Sequence, residues 1–212
     1  MTPSLQARLA LGLILLAGIV AGAFFLWRRP PPPPPEPRAT EGAFWRYTPS
    51  GAWERLPVPG DLPRASLVVT RALTNVVALP ERSWLRCQTD ASLVVEAVEP
   101  GPRTVLRVDQ GRAWLRVSGE AAVVLNSVNC EVTVRDATCA IHVWDDKDHF
   151  KNTEVRCWRG SLEIRGGPGL KQSATLRYGQ TLKTDDASMS ATTSFETASP
   201  DPWAEWNQSL DR

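Results

Sequence analysis

Acidic and imidazole side chains cluster in one short stretch of the sequence, where they have the chemistry of metal ligands. The cluster comprises His142, Asp145, Asp146, Asp148 and His149. Carboxylates and imidazoles are common ligands of divalent cations. The spacing nevertheless lacks the D-x-[DN]-x-[DN]-G pattern of a calcium loop. We therefore expect a solvated hairpin turn here rather than a metal site.

The composition offers little for catalysis or for nucleic-acid binding. The chain has 212 residues, only two histidines and a formal net charge of +1. It contains no P-loop, no G-x-S-x-G motif and no zinc-ligand spacing. A near-neutral chain also lacks the basic face that phosphate binding requires. We expect a protein that is not an enzyme and that has no cofactor, no small-molecule substrate and no nucleic-acid partner.

The four cysteines are in phase with apolar residues, which predicts that they face the core. A hairpin symmetric about Lys147–His149 places Cys139 opposite Cys157, and directly opposed strand residues, about 5 Å apart, lie within disulfide reach. We predict a Cys139–Cys157 bond, which leaves Cys87 and Cys130 as the second pair. The alternative is four reduced core thiols. An even number of in-phase cysteines favours an oxidising compartment.

Alternation of apolar and polar residues indicates an all-β domain over residues 43–184. This period of two is typical of half-buried strands, and turn signals such as Asp109-Gln110-Gly111 separate the segments. The clearest alternating segments are 66–70, 92–96, 104–108, 113–117, 131–135, 153–158 and 161–165. Many short strands at even spacing predict a multi-stranded sandwich or a solenoid-like fold.

The N-terminal region predicts a single transmembrane helix. Residues 9–27 carry no charge, and we expect them to form a helix of about 28 Å, close to the thickness of the hydrocarbon core. Trp27, Arg28 and Arg29 follow as an interfacial anchor. A signal peptide cleaved after Ala23 is the alternative. With a retained membrane helix, residues 1–8 are expected to form a short cytoplasmic tail.

A proline-rich stalk over residues 28–42 follows the predicted membrane helix. Pro30–Pro35 are six consecutive prolines, which favour polyproline II and give a stiff spacer of about 25 Å together with the next two residues. Arg28, Arg29 and Arg38 outnumber Arg8, so the positive-inside rule favours a cytoplasmic body. The cysteines favour the opposite orientation.

Residues 185–212 read as a Ser/Thr-rich linker followed by a short helix. Asp201 is a candidate helix cap, with Pro202 at the first helical position. Trp203, Trp206 and Leu210 then share one face. This helix either docks on the sheet of its own chain or acts as a partner-binding peptide.

Outward-facing tryptophan and arginine residues form a candidate interaction surface. Two Trp/Arg pairs fall out of phase with the core positions, and both residue types dominate interface hot spots. The candidate partner surface consists of Trp84, Arg86, Arg156, Trp158, Trp203 and Trp206. The favoured alternative is that Trp45, Trp53 or the tail covers this face.

The stretch 76–184 resembles a FecR domain, the extracytoplasmic module of bacterial cell-surface signalling regulators. Strands and Gly-centred turns follow one another in the family's order, although Ala137 stands where the family usually has glycine. The similar segments are 81–86 (ERSWLR), 108–117 (VDQGRAWLRV), 132–138 (VTVRDAT), 154–164 (EVRCWRGSLEI) and 176–182 (LRYGQTL).

The resemblance implies a single-pass protein of the bacterial cytoplasmic membrane with its C-terminal domain outside, in agreement with the cysteines. Full-length members carry a cytoplasmic segment that binds a sigma factor, whereas residues 1–8 are too few for one. We expect a non-catalytic binding module in envelope sensing or signal regulation, with a protein partner in the envelope. The alternative is a structural envelope protein that binds wall or surface polymer.

Overall fold

A computed structural model describes residues 36–99, 103–147, 150–195 and 201–211. The predicted membrane helix and most of the stalk lie outside these residues. Within the described ranges, no helix combines the length and the apolar character needed to cross a bilayer.

The described residues form an all-β fold with one 3-10 turn, Pro168–Leu170, and one α-helix, α1 (Pro202–Leu210). The all-β prediction is confirmed. In chain order the strands are β1 (Arg38–Glu41), β2 (Phe44–Tyr47), β3 (Trp53–Arg55), β4 (Gly60–Asp61), β5 (Leu67–Thr70), β6 (Asn75–Ala78), β7 (Trp84–Cys87), β8 (Ser92–Glu99), β9 (Arg103–Arg116), β10 (Ala122–Asn126), β11 (Cys130–Arg135), β12 (Thr138–Asp145), β13 (Lys151–Arg159), β14 (Ser161–Gly166), β15 (Gln172–Arg177), β16 (Gln180–Thr184) and β17 (Thr193–Ser194).

The strands pair into two sheets. Sheet A has the order β4-β1-β6-β7-β9-β12-β13-β16-β17. Sheet B has the order β3-β2-β5-β8-β9-β10-β11-β14-β15. All of these pairings are antiparallel except β9 with β10, which is parallel.

Strand β9 belongs to both sheets. Its residues up to Gln110 pair with β8 and β10 in sheet B, and its residues from Gly111 onward pair with β7 and β12 in sheet A. The predicted turn at Asp109-Gln110-Gly111 is therefore wrong, because the strand continues through it. Gly111 has a φ of +91°, a conformation that side-chain-bearing residues rarely adopt, so the glycine marks a change of sheet instead of a chain reversal.

One hydrophobic core lies between the two sheets. Buried residues of sheet A, such as Leu115 and Ile141, form a single cluster with buried residues of sheet B, such as Leu106 and Ile164. The alternating sequence segments place every second side chain in this cluster, as half-buried strands require. The opposite face of sheet A points away from this core, so its side chains can contact other parts of the chain.

Candidate functional site

The outer face of sheet A carries aromatic and basic side chains in cross-strand rows. Arg86, Trp114 and Ala140 lie opposite one another on neighbouring strands, and Trp84 lies opposite Arg116 in the next row. We call this surface the Trp/Arg face. Its residues are Trp84, Arg86, Arg112, Trp114, Arg116, Ala140 and Trp158.

Helix α1 lies on the Trp/Arg face. The Asp201 side chain caps the helix by accepting a hydrogen bond from the backbone N–H of Ala204 at 3.2 Å, and Pro202 occupies the first turn. The predicted start of the helix is thus confirmed. Ala204 is fully buried and packs in a cluster with Trp114 and Ala140, and Trp114 is left 1% exposed.

Charged residues hold both ends of α1 on the face. At its C-terminal end, Asp211 forms an ion pair with Arg86 at 3.0 Å and accepts a hydrogen bond of 2.9 Å from Trp114 Nε1. At its N-terminal end, Asp201 forms an ion pair with Arg112. These side chains are largely shielded from water, so the pairs are screened less than ordinary surface ion pairs.

The helix is rotated relative to the sequence expectation. The sequence places Trp203, Trp206 and Leu210 on one face of the helix, but this face is not the one that docks, because Trp206 is 44% exposed and Leu210 is 49% exposed. The buried positions are Ala204 and Asn207. Since the two ion pairs fix where Asp201 and Asp211 lie, they also fix the face that the helix turns toward the sheet.

The predicted partner-surface residues divide into two groups. Trp84, Trp158 and Trp203 join the aromatic cluster beside Trp114, and the Arg86 guanidinium lies 4.0 Å from the centre of the Trp84 ring. This distance is within the range of a cation–π contact.

The second group takes no part in this cluster. Arg156 is bound to Glu154 at 2.6 Å in a buried pair. Trp206 lines a neighbouring groove of about 580 Å³ together with Leu210.

Of the three covers that the sequence offered for the Trp/Arg face, Trp45 and Trp53 lie elsewhere. These residues belong to β2 and β3 of sheet B, where Trp53 packs against Tyr47 with a ring separation of 5.2 Å. The tail supplies the cover. Sequence reasoning also missed Arg112 and Trp114, although Trp114 stands out of phase with its buried neighbours Ala113 and Leu115 in the same way as Trp84 does.

A small cavity remains beneath the C-terminal end of α1. Its volume is about 150 Å³, and Trp114, Trp158, Arg116 and Gln208 are among its lining residues. The indole N–H of Trp158 is buried and has no hydrogen-bond acceptor within the described chain. Arg116 forms no ion pair with any described residue. The α1 helix therefore does not satisfy all the polar groups beneath it.

The acidic and imidazole cluster is part of the β12–β13 hairpin. His142 stacks on Trp144 with a ring separation of 4.6 Å, and burial together with the nearby Arg112 charge lowers the pKa of His142. Asp148 and His149 lie outside the described residues. Among the described residues, no group of three or more His, Cys, Asp or Glu side chains is placed to hold a metal ion.

The cysteine register is confirmed, but the predicted disulfides are not present. Cys139 lies directly opposite Cys157, as the symmetric hairpin required. All four cysteines are nevertheless free, buried thiols. The Cys157 Sγ lies 3.6 Å from the carbonyl oxygen of Arg159 and 3.5 Å from that of Gly160, so its S–H is directed to backbone acceptors.

Burial also makes these thiols unreactive. It raises the pKa of Cys87 and of Cys130 to about 12 and that of Cys157 to about 11, and it raises the pKa of Cys139 as well. The thiolate is the nucleophilic form, so a raised pKa leaves almost none of it at neutral pH.

We expect the native protein to be inert toward an aromatic disulfide reagent at pH 7.5. In 6 M guanidinium four thiols per chain should react with the reagent, because burial alone protects them in the folded protein. A parallel sample denatured after reduction is the control. A lower count before reduction, rising to four after it, would contradict the free-thiol state.

Comparisons with known proteins give a match in fold only. No protein-family model matches the chain, and a search of curated proteins finds no relative. A crystal structure at 2.50 Å of a candidate anti-sigma factor from Parabacteroides distasonis superposes with a TM-score of 0.50 and 8% identity, over 60% of this chain and 59% of the other. A second such structure, at 1.65 Å, gives a TM-score of 0.48 and 10% identity, over 57% of this chain and 55% of the other. The match thus spans under two thirds of each neighbour.

Proposed function

We propose that this chain is a non-catalytic binding module of FecR type, anchored in the bacterial cytoplasmic membrane and acting outside it in envelope sensing or signal regulation. The observation that carries the proposal is the Trp/Arg face, which concentrates the residue types of protein–protein hot spots on one side of sheet A. The fold shared with a candidate anti-sigma factor supports a regulatory role.

A second candidate function is binding of wall or surface polymer by a structural envelope protein. The observation that favours it is the aromatic pair of Tyr47 and Trp53 on sheet B, which are 47% and 44% exposed. Exposed rings at this spacing offer flat apolar surfaces to a ligand.

Amine crosslinking in cells tests the proposed function. Lys147, Lys171 and Lys183 are exposed on the domain, so a membrane-impermeant crosslinker applied to cells with a permeabilised outer layer should reach them. We expect one defined envelope protein to be captured in a fixed ratio. Capture of wall material alone would favour the second candidate. Labelling only after the inner membrane is lysed would contradict an extracytoplasmic domain.

A further inference from the structure

We propose that the Trp/Arg face is a helix-binding surface that α1 occupies within its own chain, and that the protein partner presents an acidic helix that displaces α1. This inference rests on the proposed function and adds the kind of partner. The chemical properties expected of the partner helix are inferred from α1, which binds the Trp/Arg face within its own chain.

The face selects a helix with a carboxylate at each end. Asp201 and Asp211 are ten positions apart, which corresponds to about 15 Å along a helix. They meet Arg112 and Arg86 respectively. Between them, Ala204 lets the helix approach Trp114 closely. A competing helix thus needs two carboxylates at this separation and a small residue between them.

The contacts between α1 and the Trp/Arg face would allow a partner helix to replace α1. The helix has nine residues, and isolated helices of this length are marginal in water. Ala204 is its one fully buried apolar residue, while Trp206 and Leu210 stay about half exposed. Two ion pairs, together with the packing of Ala204 and Trp203, hold the helix on the face, and an interface of this mixed character resembles that of a separable complex more than a domain core.

The fit of α1 is also incomplete. The cavity of about 150 Å³ next to Gln208 has in its wall a cation, Arg116, that forms no ion pair with a described residue, and the buried N–H of Trp158 has no acceptor among the described residues. Leaving such groups unpaired is unfavourable, and a carboxylate satisfies both a guanidinium and an indole N–H. We therefore expect the partner helix to carry a third acidic residue at the position that Gln208 occupies in α1.

Peptide binding to the full chain tests the inference. The probe is a fluorescently labelled peptide with the sequence of residues 201–211, and the protein is the double variant Asp201→Asn/Asp211→Asn, in which α1 has lost both ion pairs. We expect this variant to bind the probe at least about tenfold more tightly than the unchanged chain, because the face is freed. A peptide with Glu in place of Gln208 should bind more tightly still.

The Glu205→Gln variant is the matched control. It removes an exposed carboxylate of the same helix and should bind the probe no better than the unchanged chain. Equal affinity of the double variant and the unchanged chain, or binding by neither, would overturn the inference. Self-association of the double variant without probe binding would overturn it too, because the occupant would then be a second copy.

A variant in the opposite direction covers the case in which the double variant does not fold. Gln208→Glu in the full chain places a carboxylate beside Arg116 and Trp158, so we expect a higher Tm and weaker probe binding than in the unchanged chain. An unchanged Tm together with unchanged probe binding would count against a helix-selective face.

The cellular crosslinking separates this inference from the proposed function. A captured envelope protein whose yield falls in the Gln208→Glu variant supports both. A captured protein whose yield is the same in that variant means that the partner binds elsewhere, so the helix-binding inference fails and the proposed function stands. Capture of no protein at all means that the proposed function itself fails.

Discussion

Replacing Gly111 by alanine is expected to lower the free energy of unfolding by about 3 kcal/mol. A residue with a side chain at φ +91° is strained, which costs about 1–2 kcal/mol. The added Cβ would also lie 2.8 Å from the Cα of Ala91, and this backbone atom cannot move away by a change of side-chain rotamer. Overpacking of this kind costs about 1–3 kcal/mol more. Chemical denaturation with matched m-values measures the effect.

The control for this variant is Gly179→Ala. Gly179 has a similar φ of +82°, but no atom lies within 4 Å of the added Cβ. We expect a loss of about 1–2 kcal/mol there, from backbone strain alone. If the two variants were equally destabilised, the close approach of β9 to Ala91 would not be what requires a glycine.

A steep loss of stability above pH 9 is the second large effect that we expect. The buried thiols keep their protons in the folded state, where burial raises the pKa of Cys87 and Cys130 to about 12 and that of Cys157 to about 11. In the unfolded chain, thiols ionise near pH 8.5. The contribution of these groups is therefore complete below about pH 8.5, and it is lost as the pH rises toward the folded-state values.

The size of this loss follows from the linkage relation. Each thiol that ionises only in the unfolded state removes about 1.4 kcal/mol per pH unit, so several together dominate the alkaline limb. Guanidinium titrations at pH 8, 9 and 10 measure it. The Cys87→Ala variant is expected to be less stable at pH 8, but its free energy of unfolding should fall with pH less steeply, by about 1.4 kcal/mol per pH unit. An unchanged slope would show that Cys87 is not the group that titrates.

Local sequence patterns were sufficient for much of this fold. Apolar and polar alternation located six of the seventeen strands in the described residues, because each of these six has one face in the core; they are β5, β8, β9, β11, β13 and β14. The Asp201-Pro202 pair located the start of α1, since capping chemistry is local. Hairpin symmetry even set Cys139 opposite Cys157.

The failures involve relations between distant parts of the chain. Asp109-Gln110-Gly111 has the composition of a turn. The strand passes here from sheet B to sheet A, and this is visible only from the strands that pair before and after Gly111. The rotation of α1 depends on Arg86, which lies 125 positions before Asp211. Whether two opposed thiols bond depends on side-chain direction, which the register alone does not give.

The shared strand β9 has a consequence for how the domain opens. Neither sheet can separate from the core without disrupting a strand that runs through the middle of both. Backbone amides at Leu106, in sheet B, and at Leu115, in sheet A, are therefore expected to exchange with solvent through the same global opening, with equal protection. The two layers would then unfold as one cooperative unit, in a single transition.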